Sequence, residues 1–317
     1  MIQKLRGLPV GILPTMMAFA SISAAWERMG FTWIRNIAIV IASAVWLLYM
    51  AKLLLYWKTC AEEFKSSAVV ASVYCAITVL LMIISPWYAQ WSLLAAQIVH
   101  YTAAIIHTCL VALFTWRYVR GGIDWDTFVP TWFVAYVGVL ISNVSGVDIF
   151  IPVVPMIILI YGVASYWIVL IPMVIRLKRR PVPEFALHSR AVMVAPASLC
   201  VIAYLNVVST PRLGLAVFFY LLMLANLVYV AGNTPKFFSL PFSPSYAALT
   251  FPLAASTLAS FRMSDFLLER GDLFLGNAVA QLAGIQMYAA TAVIAFVVFN
   301  FARMGMRACR DLKGVCL

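Results

Sequence analysis

The chain has 317 residues, 65% of them hydrophobic and 10% charged. Soluble domains carry about 25% charged residues, so a soluble globular protein is excluded, and apolar runs that are continuous instead of alternating exclude a β-barrel. The net charge of +11 sits in the short gaps between those runs, where it reads as an orientation signal and not as a nucleic-acid surface.

Ten stretches are long enough to cross a bilayer, each near the ~20 residues that a helix needs. They lie roughly at 8–27, 35–57, 66–86, 91–117, 128–147, 150–175, 190–209, 212–232, 243–264 and 273–301. The expected fold is an all-α integral membrane protein, with residues 1–317 forming one transmembrane channel or transporter domain. The first stretch has marks of a signal peptide: Lys4 and Arg6, an apolar run, then Ser23-Ala24-Ala25. Pro14 interrupts it and its length suffices to span, so it is read as the first helix. Lys52, near the end of the second stretch, is placed to snorkel towards the interface. Ser85-Pro86-Trp87 supplies the turn between the third and fourth.

The fourth stretch carries His100 and His107, seven residues apart and on one face. Neither has a carboxylate or thiol at ligand spacing, so both are expected to hydrogen-bond to neighbouring helices. The same reading covers Asn206, Asn226, Asn277, Gln281, Gln286 and Asn300. His188 falls in a loop before the seventh stretch. Cys60, Cys75, Cys109, Cys200, Cys309 and Cys316 show neither metal-site spacing nor a disulfide framework.

With ten spans, the termini and alternate loops share one side of the membrane. Of the 22 Lys and Arg residues, all but Arg28, Arg35, Arg212, Arg262 and Arg270 fall on that side, which predicts cytoplasmic termini. Odd spans also carry a proline: Pro14, Pro130, Pro196 and Pro252, at separations of 116, 66 and 56 residues. A missing member is expected near Ser72, in the third span, which has no proline. A period near 60 residues implies five helical hairpins. The expected arrangement is a ring around a central pore, odd helices inside and even helices outside, with the prolines kinking the pore helices.

No paired-Asp motif, metalloprotease helix, phosphate loop or nucleophile elbow occurs, and no Asp or Glu lies well inside a span. The chain is therefore read as neither an enzyme nor a cofactor or metal binder. Hydroxylated residues recur on the odd spans, and Thr15, Ser72, Ser198 and Thr250 are candidate pore-lining residues. A conduit without charge binds ions weakly, which suits passage more than coupling, and a basic face on one side favours small anions. The sharpest local feature is Thr250-Phe251-Pro252-Leu253-Ala254. Pro252 cannot complete the helical hydrogen bond to Ala248, and in a bilayer a freed carbonyl is tolerated only against protein or a wet cavity. Two readings stand for Phe251: a plug beside that break, or an aromatic that packs against a neighbour.

These features resemble the tellurite-resistance and dicarboxylate transporter family, which includes TehA-like bacterial proteins and the slow anion channels of plant guard cells. The resemblance covers the whole chain and is sharpest at Phe251-Pro252, at Arg190 through Ala195-Pro196-Ala197 to Ala203-Tyr204, and at Ala42-Ser43-Ala44-Val45-Trp46. It implies a homotrimer in the inner or plasma membrane, each protomer with its own pore, and a phenylalanine gate that matches Phe251. It implies passive conduction of small inorganic anions or, as the alternative, secondary transport or export of dicarboxylates or other oxyanions, as in tellurite resistance. Departures from the family pattern are Gly11-Ile12-Leu13-Pro14-Thr15-Met16 in span one, the absent proline in span three, and Pro-Leu after Phe251.

Overall fold

In a computed structural model of the chain, residues 5–313 are described, with side chains over 5–306. Lys4, Cys316 and the side chains of Arg307, Cys309, Arg310 and Lys313 lie outside the described residues. Every regular element described is helical. Helix α1 (Ile12–Arg28) leads to α2 (Thr32–Leu55) and a short α3 (Trp57–Ser66). Helices α4 (Ala68–Tyr74) and α5 (Ala76–Ile84) meet at Cys75, and a 3-10 turn (Ser85–Gln90) joins them to α6 (Leu93–Tyr118). The next segment is broken into α7 (Trp132–Tyr136), a 3-10 turn (Gly138–Leu140) and α8 (Ile141–Ser145). After α9 (Val153–Arg179), a 3-10 segment (Glu184–Met193) runs into α10 (Val194–Val207). Helix α11 (Leu213–Phe238), α12 (Ala247–Glu269) and α13 (Leu273–Lys313) complete the chain.

Seven helical segments are long and apolar enough to cross a membrane: α2, α4–α5, α6, α9, the Glu184–Val207 segment, α11 and α13. The three other expected spans coincide with α1, α7–α8 and α12. The first has 17 residues, the second is broken, and the third is rich in Ala, Ser and Thr. Burial divides the seven. The α4–α5 and Glu184–Val207 segments are 72% and 83% buried, whereas the others range from 22% to 44%. Packing links α1 to α5 and α12, α12 to α10, α10 to α8, and α8 back to α5. The apolar side chains of α2, α6, α9 and α11 face outward instead, as with Leu47, Ile105, Ile168 and Val228. Leaving such faces exposed is favourable only where hydrocarbon replaces water.

The break in the fifth span has no proline to cause it. The Nε2–H of His107 donates to the carbonyl of Ala135 at 2.9 Å, and its Nδ1 accepts from the Thr78 hydroxyl at 2.8 Å. A carbonyl captured by a side chain no longer needs its own helical donor, so the helix opens there. Gly138 fits beneath the ring, where an added Cβ would stand 3.0 Å from His107 Cε1. His100 bonds through Nδ1 to Ser85 at 2.8 Å. Both histidines therefore join helices, as expected. Among the amides, Asn206 donates to the carbonyl of Asn143 and accepts from Arg262, while Asn226 and Asn300 turn back onto their own helices.

Several local expectations need correction. Lys52 does not snorkel: it is 1% exposed, and its Nζ donates to Glu63 and to the carbonyl of Leu8, each at 2.9 Å. Glu63 also accepts from the Tyr74 hydroxyl. A partner on the amphipathic α3, in the gap between expected spans, makes burial of the ammonium affordable in charge terms. His188 is not in an open loop but is 1% exposed, its Nε2 donating to Phe237 at 3.1 Å and its Nδ1 facing Ser245 at 2.8 Å. The proline pattern also differs. Pro14 and Pro196 are the third residues of α1 and α10, where a missing N–H breaks no helical bond. Pro130 lies in the turn before α7. Of the four, Pro252 alone lies past the first turn of a helix; Pro172 and Pro235 likewise lie inside α9 and α11.

Candidate functional site

A cavity of about 210 Å³ lies where α1, α4–α5, α7, the Glu184–Val207 segment and α12 come together. Pro14 and Met17 enter it from α1, and Val69, Val73 and Val79 from α4–α5. Phe133, Val134 and Val137 line it from the broken span; Val192, Pro196 and Leu199 come from the seventh; and Ala248, Phe251 and Pro252 come from α12. The residues around it include no Asp, Glu, His, Lys or Arg. Its hydroxyls come from Thr131, Ser189 and Ser245. An uncharged, mainly apolar wall holds water loosely and offers an ion little in return for its hydration shell.

Phe251 is in this wall and 8% exposed. Pro252 follows it, and Ala248, whose carbonyl loses its helical donor to that proline, lines the same cavity. The chain thus brings a bulky ring, a proline inside a continuous helix and a carbonyl without its helical donor to one place. Pro14 and Pro196 join them in the wall, and Pro130 is buried just before its neighbour Thr131.

The four candidate lining hydroxyls are placed elsewhere. Thr15, Ser72, Ser198 and Thr250 are all fully buried and absent from the cavity wall. Thr15 donates to Gly11 at 3.1 Å, Ser198 to Val194 at 2.9 Å and Thr250 to Ala247 at 2.7 Å. The Ser72 hydroxyl lies 2.8 Å from the Val69 carbonyl and 2.9 Å from Thr131 Oγ1. In each case a chain neighbour lines the cavity instead: Pro14, Val73, Leu199 and Phe251. The valines of the wall were not legible in the sequence, because a cavity-facing valine and a core valine have the same pattern. Ser189 and Ser245 flank the buried His188 and carried no motif.

Three of the five arginines of the opposite set are paired with acids. Arg28 pairs with Asp265, Arg35 with Glu27 at 3.7 Å, and Arg262 with Glu269 at 3.6 Å. Arg262 also donates to Asn206 and the Leu205 carbonyl, each at 2.9 Å.

A search of curated proteins finds no match. A family model described as SLAC1, voltage-dependent anion channel, matches residues 7–304.

Proposed function

The chain belongs to the SLAC1 family of voltage-dependent anion channels, and on that premise we propose that it conducts small inorganic anions passively through the cavity, with Phe251 as the plug. The observation that carries this is Phe251 beside Pro252, a proline inside α12, in the wall of an uncharged cavity to which five helical segments contribute. Those segments form the inner ring of five hairpins, and α2, α6, α9, α11 and α13 form the outer one. The greater burial of α4–α5 and Glu184–Val207 supports that reading. A wall without ionisable groups also favours conduction over proton-coupled export of dicarboxylates or oxyanions, since coupling ordinarily places an acid or histidine in the path. Weakly hydrated anions such as nitrate should pass more readily than chloride, because the wall replaces little of the lost hydration.

The test is anion current per correctly assembled protein for wild type, Phe251→Leu and Phe251→Ala. Current rising in that order supports the plug. If Phe251 only packs, truncation costs roughly 3–5 kcal/mol of stability, and assembly falls with no gain of current, which would falsify the gate.

In this reading the protein is a homotrimer in the inner or plasma membrane, each protomer with its own pore and its termini cytoplasmic. Outward apolar faces on the outer helices are compatible with lipid or neighbouring copies. Native mass spectrometry at low detergent is expected to give three chains; monomers alone would remove the trimer.

A further inference from the structure

We propose that one acyl chain of a bilayer phospholipid occupies a cleft between α2 and α6 and packs there against α5. The cleft measures about 520 Å³. Trp46 and Leu47 of α2 form one side, Ala95 and Thr102 of α6 the other, and Leu81 and Ile84 of α5 the floor. Both outer helices pack on α5 but scarcely on each other, so the gap between them stays open. Its rim includes Leu47 and Ile98, 61% and 58% exposed, which makes it continuous with the outward apolar faces of α2 and α6. Those faces call for hydrocarbon, and the cleft carries the same requirement inward.

The chemistry of the wall fits a chain of methylenes. Among the described residues, no Asp, Glu, Lys, Arg or His lines the cleft. Trp46, Tyr88 and Ser43 turn their polar atoms to the protein. Trp46 Nε1 donates to the Ile77 carbonyl at 2.9 Å, the Tyr88 hydroxyl to Ser43 Oγ at 2.6 Å, and Ser43 in turn to the Ile39 carbonyl at 2.7 Å. A ligand without donors or acceptors leaves these bonds undisturbed. An aromatic cluster stands at one end of the cleft, with the rings of Trp87 and Trp91 centred 4.5 Å apart and Trp91 65% exposed. Such rings gather at the boundary between hydrocarbon and headgroups. With no cation in the wall, the headgroup need not be anionic, and a phosphatidylcholine suffices.

Depth selects a lipid over a second copy of the chain. Ser92 caps α6 at the aromatic end, and Thr102 lines the cleft ten residues further along, about 15 Å of helix. On α2, Asn36 accepts from Trp87 Nε1 at 3.1 Å at the same end, and Leu47 lines the cleft eleven residues deeper, a similar distance. Half of a hydrocarbon core of about 30 Å is one leaflet, the reach of a single acyl chain. A membrane-spanning helix of another copy runs through the whole thickness, whereas the cleft ends half-way. The chain reaches α5, whose Val79 lines the central cavity, so lipid backs that element where no outer helix does. The proposal needs the membrane location alone and not the reading of Phe251 as a gate.

The test uses the full chain in phosphatidylcholine vesicles doped with a phosphatidylcholine that carries a diazirine near the middle of one acyl chain. After irradiation, labelled positions are mapped by mass spectrometry. Ile160, 64% exposed on α9, measures ordinary lipid contact. In wild type, the partly buried Leu81 on the floor should be labelled together with Ile160. Ala95→Phe places a ring in the cleft from an exposed position; it should lose the label on Leu81 and keep that on Ile160. If it fails to assemble, Thr102→Phe is read in its place. Ala112→Phe, exposed on α6 away from the cleft, should behave as wild type. Labelling of Ile160 without Leu81 in wild type overturns the proposal, as does a Leu81 label that survives the filled cleft. A Leu81 protected at high protein density and labelled only on dilution into excess lipid assigns the cleft to a second copy, and overturns it as well.

Discussion

Thr250 and Phe251 are adjacent in the chain and face different surroundings. One residue turns an α-helix by about 100°, enough to exchange a packed face for a cavity wall. Thr250 returns its hydroxyl to Ala247 at 2.7 Å, while Phe251 lines the cavity. The same step separates Ser198 from Leu199 and Thr15 from Pro14. Small hydroxylated residues let helices approach closely and satisfy themselves on their own backbone, so they gather at helix contacts. It follows that Ser198→Ala should leave the ratio of nitrate to chloride permeability unchanged, since its hydroxyl is occupied by Val194 at 2.9 Å. Reversal potentials in mixed anion gradients check this, and a shifted ratio would place the hydroxyl in the path after all.

Among the elements, α3 is the one that ties others together. Its Trp57, Cys60, Ala61 and Phe64 recur at helical spacing, a signal present in the sequence but short enough to pass for a loop. From that helix Glu63 holds Lys52 of α2, which in turn holds the carbonyl of Leu8 ahead of α1, and it accepts from Tyr74 of α4. Glu63→Gln leaves a buried ammonium without its counter-charge, and should lower stability by up to about 3 kcal/mol. The double variant Lys52→Met with Glu63→Gln should recover most of the loss, because it removes the stranded charge as well. Thermal unfolding of the three proteins checks the pair. A double variant no more stable than Glu63→Gln would mean that the loss comes from packing of α3.

At the scale of the whole molecule, three of the five arginines of one set are paired with acids: Arg28 with Asp265, Arg35 with Glu27, Arg262 with Glu269. The larger set, from Lys58 to Lys236, is mostly exposed and free to act as an orientation signal. If that signal sets topology, a cysteine introduced at Gly271 should react with an impermeant reagent added from outside, and one introduced at Pro183 should not. Labelling at Pro183 from outside would invert the orientation. The positive φ of Gly271, +87°, marks the tight turn between α12 and α13, an exposed site for such a probe.

Composition and the continuity of apolar runs determined the class by themselves, because no soluble chain can bury so much apolar surface and hydrocarbon is the solvent that accepts it. They located the long helices for the same reason. The element a helix packs against is different in kind: Lys52 and Glu63 are 11 residues apart, and His107 and Ala135 are 28 apart. Nothing local in the sequence couples such pairs, and so the buried ammonium and the break at Gly138 belong to tertiary structure. The wall of the cavity belongs there as well. Phe251 was singled out by its proline, a covalent property visible in any conformation, whereas the valines and Leu199 became lining residues only when the rotation of each helix was set by its neighbours.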